Sequence, residues 1–346
     1  MTMPHVKTLA LAAAAVGLAG AAGSAAAQEI ELTLSHFLPP VHGIHTDFIE
    51  PWARELEERT DGRVAVEIFP GTAALGNVAQ QYDQVVAGVT DIAHGLAGIP
   101  RGRFPRTSIM DLPFLTEDAG VASRTLWTLY SENAAFQEEY AEVVPLALHC
   151  HNGGLIHTRE RPVETMEDME GLRIRTPSPA ISSMLEFLGA TPVGLPPGQV
   201  YENLQRGAID GTVFPWDPVA SFRLAEVLDY HLAAGAYTTC FYFVMNRGTY
   251  DGLPEDVRAV IDDMSGDSLV ARFGDWWDAW DAPGLAAAEE RGNAIAQLTD
   301  RERERWREAL QPMIEDWLAQ MEAEGIDDAR ELYARAQELV AEYSAQ

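Results

Sequence analysis

Lysine is almost missing from this chain. Lys7 is the only lysine among 346 residues, and 53 acidic residues outnumber 24 basic ones, for a formal net charge of −29. Such a surface repels nucleic acid and anionic lipid, which excludes both as partners. Cysteine is nearly as rare: Cys150 and Cys240 stand alone, too few for a disulfide-built scaffold. Whether they bridge or remain two buried thiols is open at the level of sequence. After the first thirty residues no stretch approaches the roughly 18 uninterrupted apolar residues of a membrane-spanning helix. Gly-x-Ser-x-Gly, Walker and Gly-x-Gly-x-x-Gly motifs are also lacking. His42-x-x-His45 and His149-Cys150-His151 carry metal-binding residue types, but neither has a clear third ligand at a metalloenzyme spacing. No cofactor and no metal are therefore expected, and no catalytic residues.

The N-terminus is more informative. Lys7 precedes an apolar run from Leu9 to Ala22, and the small residues Ala25-Ala26-Ala27 precede Gln28. That is the layout of a secretory signal over residues 1–27, with cleavage expected before Gln28 and the periplasm as destination. The segment contains Lys7 and no acidic residue, so its loss takes the charge from −29 to −30. The exported remainder exceeds the usual single-domain length, and 47% of the whole chain is hydrophobic, enough for two cores.

Periodicity then gives a coarse order. Glu29–Ser35 and Arg63–Phe69 alternate polar and apolar residues like strands. Between them Phe48, Trp52 and Leu56 recur every four residues like one face of a helix. Thr90–His94, Val144–His149, Leu172–Arg175, Ile209–Phe214 and Phe241–Asn246 read as further strands. Val78–Val86, Ala180–Leu188 and Val200–Arg206 read as helices, and Leu269 onward is almost wholly helical. Strands alternating with helices imply α/β architecture.

Several of these segments also form an ordered set of motifs. They are Glu58-Arg59-Thr60-Asp61-Gly62-Arg63, Phe69-Pro70-Gly71, Leu75-Gly76 and Gly88-Val89-Thr90-Asp91, followed by Gly171-Leu172-Arg173-Ile174-Arg175, Leu188-Gly189-Ala190-Thr191-Pro192-Val193, Val200-Tyr201-Glu202-Asn203-Leu204-Gln205-Arg206-Gly207, Ile209-Asp210-Gly211 and Val244-Met245-Asn246. The chain thereby resembles the DctP-like substrate-binding proteins of tripartite ATP-independent periplasmic (TRAP) transporters, nearly from end to end of the exported part. The resemblance implies a two-lobed α/β periplasmic binding protein fold with mixed sheets, an interlobe cleft and a helical C-terminal region. It implies capture of a small organic acid as a monomer, delivery to membrane permease subunits, and no catalysis. Lobe one is expected to contain residues 28–152 plus 240–279, and lobe two residues 153–239 plus 280–346 with the C-terminal helices. An extracytoplasmic sensor for a signalling receptor would share this fold, and a secreted metal-dependent enzyme is the alternative of another class.

Arg175 stands at the family's carboxylate-binding arginine, and its planar fork can meet both oxygens of a carboxylate. Arg173 is read as pointing to the other face, into solvent. Many relatives carry Arg where Leu155 stands and Asn where Phe214 stands. The apolar residues here remove hydrogen-bonding partners and so favour an apolar or aromatic monocarboxylate, possibly 2-oxo or 2-hydroxy, over a sugar acid. Gly154 beside Leu155, Trp216 beside Phe214 and Pro197 are further wall candidates. From lobe one, His36, Phe37 and His94 follow strand ends, where ligands of parallel sheets sit. Trp216 could equally be core, and either histidine a buried filler.

Overall fold

Alternating segments take up eleven strands in the computed structural model, which describes residues 30–346. The expected signal segment and its cleavage before Gln28 lie outside the described residues. The strands are β1 (Ile30–His36), β2 (Val64–Phe69), β3 (Ile92–Leu96), β4 (Val143–Cys150), β5 (Leu155–Thr158), β6 (Arg173–Thr176), β7 (Thr191–Gly194), β8 (Gly211–Phe214), β9 (Tyr230–Ala233), β10 (Cys240–Asn246) and β11 (Ala294–Gln297).

They form two mixed sheets, ordered β2-β1-β3-β10-β4 and β11-β9-β5-β8-β6-β7. In the first, β10 runs antiparallel between β3 and β4, although in sequence it follows the strands of the second sheet. The chain therefore crosses between lobes at 151–154, returns at 234–239, and crosses again through the helix Phe273–Glu290 to reach β11. No helix of the described residues is long and apolar enough to cross a membrane.

Each lobe has its own core. Phe48, Trp52, Phe243, Phe273 and Trp277 are among the large side chains of one face of the first sheet, and Ile156, Ile174, Met184 and Val213 pack within the second lobe. The bridging helix Phe273–Glu290 packs against both the helix Ala119–Glu132 and the short helix Asp217–Ser221. Gly284 permits the second contact: a Cβ there would lie 1.8 Å from the Trp216 carbonyl oxygen.

The C-terminal helices depart from expectation. Leu298, Trp306 and Leu310 pack in the second lobe, but Met313, Ile314, Leu318 and Met321, farther along the same helix, join a core of the first lobe. The last helix, Ala329–Tyr343, packs on Ala119–Glu132. Residues beyond about 310 therefore do not belong with lobe two. Apolar spacing identifies an amphipathic helix but not which lobe its face will cover.

Cys150 and Cys240, opposite each other across β4 and β10, are joined by a disulfide. They occupy the points where the first two crossings leave the first sheet, so the bond ties the crossings together at their root. Three pairs of buried histidines accompany it: His36 Nε2 with His45 Nδ1 at 2.9 Å, His94 Nε2 with His149 Nε2 at 2.9 Å, and His157 Nδ1 with His231 Nδ1 at 2.7 Å. Neutral rings satisfy each contact by adopting opposite donor and acceptor roles.

Two outcomes follow for stability. The paired replacement Cys150→Ser with Cys240→Ser removes a cross-link that closes a 90-residue separation, and should cost about 2–5 kcal/mol of stability in denaturant unfolding. An unchanged transition would assign the bond no structural role. The second outcome concerns acid. Burial lowers the pKa of His36 to about 3 and of His151 to about 4, and pushes His94, His149, His157 and His231 below the ordinary histidine value. Burial raises Asp111 and Glu139 to about 7 and Asp281 to about 6. Below pH 6.5 the unfolded chain binds protons on these six histidines that the fold refuses, while the fold keeps protons on three carboxyls that the unfolded chain releases above about pH 4. The net difference favours the unfolded state on acidification, at up to about 4 kcal/mol per pH unit. The thermal midpoint should therefore fall steadily from pH 6.5 to pH 4.5; a rise over that interval would mean that the histidines are charged in the fold.

Candidate ligand-binding site

The parallel strands of both lobes end toward one another, and between them lies a narrow cavity of about 40 Å³. Lobe one contributes Phe37 and Leu38 just past β1, His42, Leu96 at the end of β3, Phe241 at the start of β10, and Trp277 from the bridging helix. Lobe two contributes Arg175 and Pro177 around the end of β6, Pro197, Val213 and Phe214 at the end of β8, Pro215, Pro218 and Phe222. The crossings themselves contribute His151, Tyr237 and Thr239. Ligand sites of open α/β sheets occupy this position, beyond the carboxyl ends of the strands.

Arg175 governs the electrostatics. The strand alternation puts Ile174 in the core and turns Arg175 to the cavity, where the residue is 0% exposed. Its Nε donates to the Leu195 carbonyl at 2.9 Å and its Nη1 to the Val213 carbonyl at 3.3 Å, and its guanidinium carbon lies 4.2 Å from the centre of the Phe214 ring. Nη2 has no hydrogen-bond partner, and no carboxylate of the described residues forms an ion pair with this side chain. Burial without a counter-charge lowers the guanidinium pKa to about 9. Arg173, two residues earlier, shares a face with Arg175. It is solvated, as expected, because it sits at the strand's exposed start and pairs with Asp210 at 2.6 Å.

The other polar groups divide into engaged and unengaged. His42 Nε2 is held at 2.7 Å by Asp217 Oδ1, so a lobe-one loop grips the lobe-two helix Asp217–Ser221. His151 contacts the Asn152 carbonyl through Nδ1, and burial keeps the ring neutral at pH 7. Tyr237 Oη and Thr239 Oγ1 are buried without partners. The Tyr237 phenol is pushed far above its ordinary pKa by burial, opposed by the charge of Arg175.

Of the residues singled out in the sequence, Arg175, Phe214, Phe37 and Pro197 line the cavity. The other five do not. Trp216 packs against His157 and His231 behind the wall, and Leu155, opposite Phe214 across β5 and β8, does not reach the lining. Gly154 supports the site indirectly, since a Cβ there would lie 2.1 Å from Cε1 and Cζ of Tyr237. His36 and His94 point away into the histidine pairs with His45 and His149. Sequence reasoning missed Tyr237, Thr239, Phe241 and Trp277, and weighed His42 and His151 only as metal-binding types. Tyr237 and Thr239 lie in an irregular segment with no periodic signal, and Trp277 in a helix rich in aromatics has no mark separating a cavity face from a core face.

Residues 34–320 match the model of the bacterial extracellular solute-binding proteins of family 7, DctP. A TRAP solute-binding protein of Rhodoferax ferrireducens in complex with copurified benzoate is 32% identical, with a TM-score of 0.86 over 91% of this chain and 98% of that one. A marine metagenome TRAP protein specific for aromatic acid ligands, in complex with metahydroxyphenylacetate, is 33% identical, with a TM-score of 0.88 over 91% and 99%. A TRAP protein of Bordetella bronchiseptica with bound (R)- and (S)-mandelate is 28% identical, with a TM-score of 0.82 over 90% and 99%.

Proposed function

The chain belongs to the bacterial extracellular solute-binding proteins of family 7, the DctP family of TRAP transport, and we propose on that premise that its interlobe cavity holds an aromatic monocarboxylate through Arg175. The single observation that carries this is the buried Nη2 of Arg175, which has neither a hydrogen-bond partner nor a carboxylate beside it. A buried cation of this kind is costly until an anion joins it, and a carboxylate is the anion whose two oxygens match the guanidinium fork.

The walls restrict what that carboxylate is attached to. Phe37, Phe214, Phe222, Phe241 and Trp277 surround the space with rings, which suits a flat apolar body. A second carboxylate would meet no cation: His42 is already paired with Asp217, and His151 is neutral. Nor can the walls serve the many hydroxyls of a sugar acid, because each one left unpaired costs about 1–3 kcal/mol. Related proteins that hold benzoate, metahydroxyphenylacetate and mandelate support the same class.

In this reading the protein works outside the inner membrane after cleavage before Gln28, as a monomer and without catalysis, and hands its acid to the permease subunits of a TRAP transporter. The lobes are taken as residues 28–152 with 240–279, and 153–239 with 280 to about 310. The remaining C-terminal residues belong with the first lobe, where their apolar side chains pack.

Calorimetry with the exported chain tests the site. Arg175→Lys keeps the charge but loses the fork, and should weaken benzoate binding by about 2–5 kcal/mol while leaving the unfolding transition in place. Unchanged affinity in the folded variant would remove Arg175 from the site. A ligand series tests the class: benzoate and mandelate should bind more tightly than succinate, malate or a sialic acid, and the reverse order would overturn the aromatic-acid reading.

A further inference from the structure

Three buried polar atoms on the cavity wall have no hydrogen-bond partner: Arg175 Nη2, Tyr237 Oη and Thr239 Oγ1. A carboxylate bound by the arginine accounts for the first. The other two belong to the crossing at 234–239, whose backbone is hydrogen-bonded to neighbouring segments. The carbonyl of Ala236 accepts from Phe114 N at 2.9 Å, that of Tyr237 from Gly154 N at 2.7 Å, and that of Thr239 from His151 N at 3.2 Å. Thr238 turns the other way and donates through its hydroxyl to the His151 carbonyl at 2.5 Å. On an extended chain Tyr237 and Thr239 thus share the cavity face about 6–7 Å apart.

The Tyr237 ring packs on Gly154, where a Cβ would come within 2.1 Å of it. Tyr237 and Arg175 line the same cavity, so the phenol and the guanidinium face one bound ligand. Thr239 is only 2% exposed, and its Oγ1 is buried without a partner.

We propose that Tyr237 and Thr239 determine ligand specificity: Tyr237 Oη donates to the carboxylate that Arg175 binds, and Thr239 Oγ1 pairs with a hydroxyl carried on the ligand's ring. This rests on the aromatic-acid reading and narrows it to hydroxylated aromatic acids. An unsubstituted ring leaves the buried threonine hydroxyl unpaired, which is how a polar site rejects a ligand that lacks the matching group. Gly154 is then a positioning residue, since it provides the seat for the tyrosine ring.

The test is calorimetric titration of the exported chain with benzoate and the three hydroxybenzoate isomers. The isomer that reaches Thr239 should bind about tenfold more tightly than benzoate. Thr239→Val should erase that ratio by weakening the hydroxylated acid alone, and Thr239→Ser should keep it. Tyr237→Phe should weaken both acids by about tenfold or more and leave their ratio unchanged. The inference is overturned if wild-type protein binds benzoate as tightly as every isomer, or if folded Thr239→Val retains the ratio. Failure of wild-type protein to bind any of the four acids would instead overturn the aromatic-acid reading, and this inference with it.

Discussion

A guanidinium carried out of water without a carboxylate beside it is an expensive thing to fold, and the second lobe is arranged around that cost. Arg175 recovers part of it from two backbone carbonyls and from the face of Phe214. It keeps one nitrogen unpaired. Hydrophobic packing of two separate cores, a cross-link between β4 and β10 and a helix that spans both lobes supply the stability that tolerates such a group. Three of the unmet polar atoms among the described residues, Arg175 Nη2, Tyr237 Oη and Thr239 Oγ1, belong to residues of one cavity wall.

The crossings matter as much as the lobes. Cys150 and Cys240 sit at the root of the first two, and the residues just beyond each, His151 on one and Tyr237 and Thr239 on the other, line the cavity. The segments that connect the lobes are therefore also part of the binding wall. The bridging helix has the same double role: Trp277 faces the cavity, while Trp280 Nε1 donates to Asp47 at 3.0 Å and Asp281 accepts from the Asp217 backbone at 2.8 Å. Asp217 in turn holds His42, so the loop after β1 and the end of β8 are tied to one helix.

Much of this was legible in the residues. Export, two α/β lobes and the strand carrying Arg175 follow from a signal-like N-terminus, period-two and period-four patterns and an ordered set of motifs. Phe37 was found because the carboxyl ends of strands are where such sheets bind, and Phe214 because it stands where many relatives carry Asn. The same rule brought in His36 and His94, which follow strands yet are consumed by neighbouring histidines. Four-residue strands such as β5 and β9 were not read at all, since so few residues carry no measurable period.

The sequence by itself determined which side chains can hold a negative charge and roughly which elements carry them, because alternation and motif order are properties of neighbours along the chain. Only the tertiary structure decided that Trp277 rather than Trp216 faces the cavity, that the last helix returns to lobe one, and that Tyr237 and Thr239 remain unpaired beside Arg175. Burial and hydrogen-bond pairing are settled between residues far apart in sequence, and no local pattern records them.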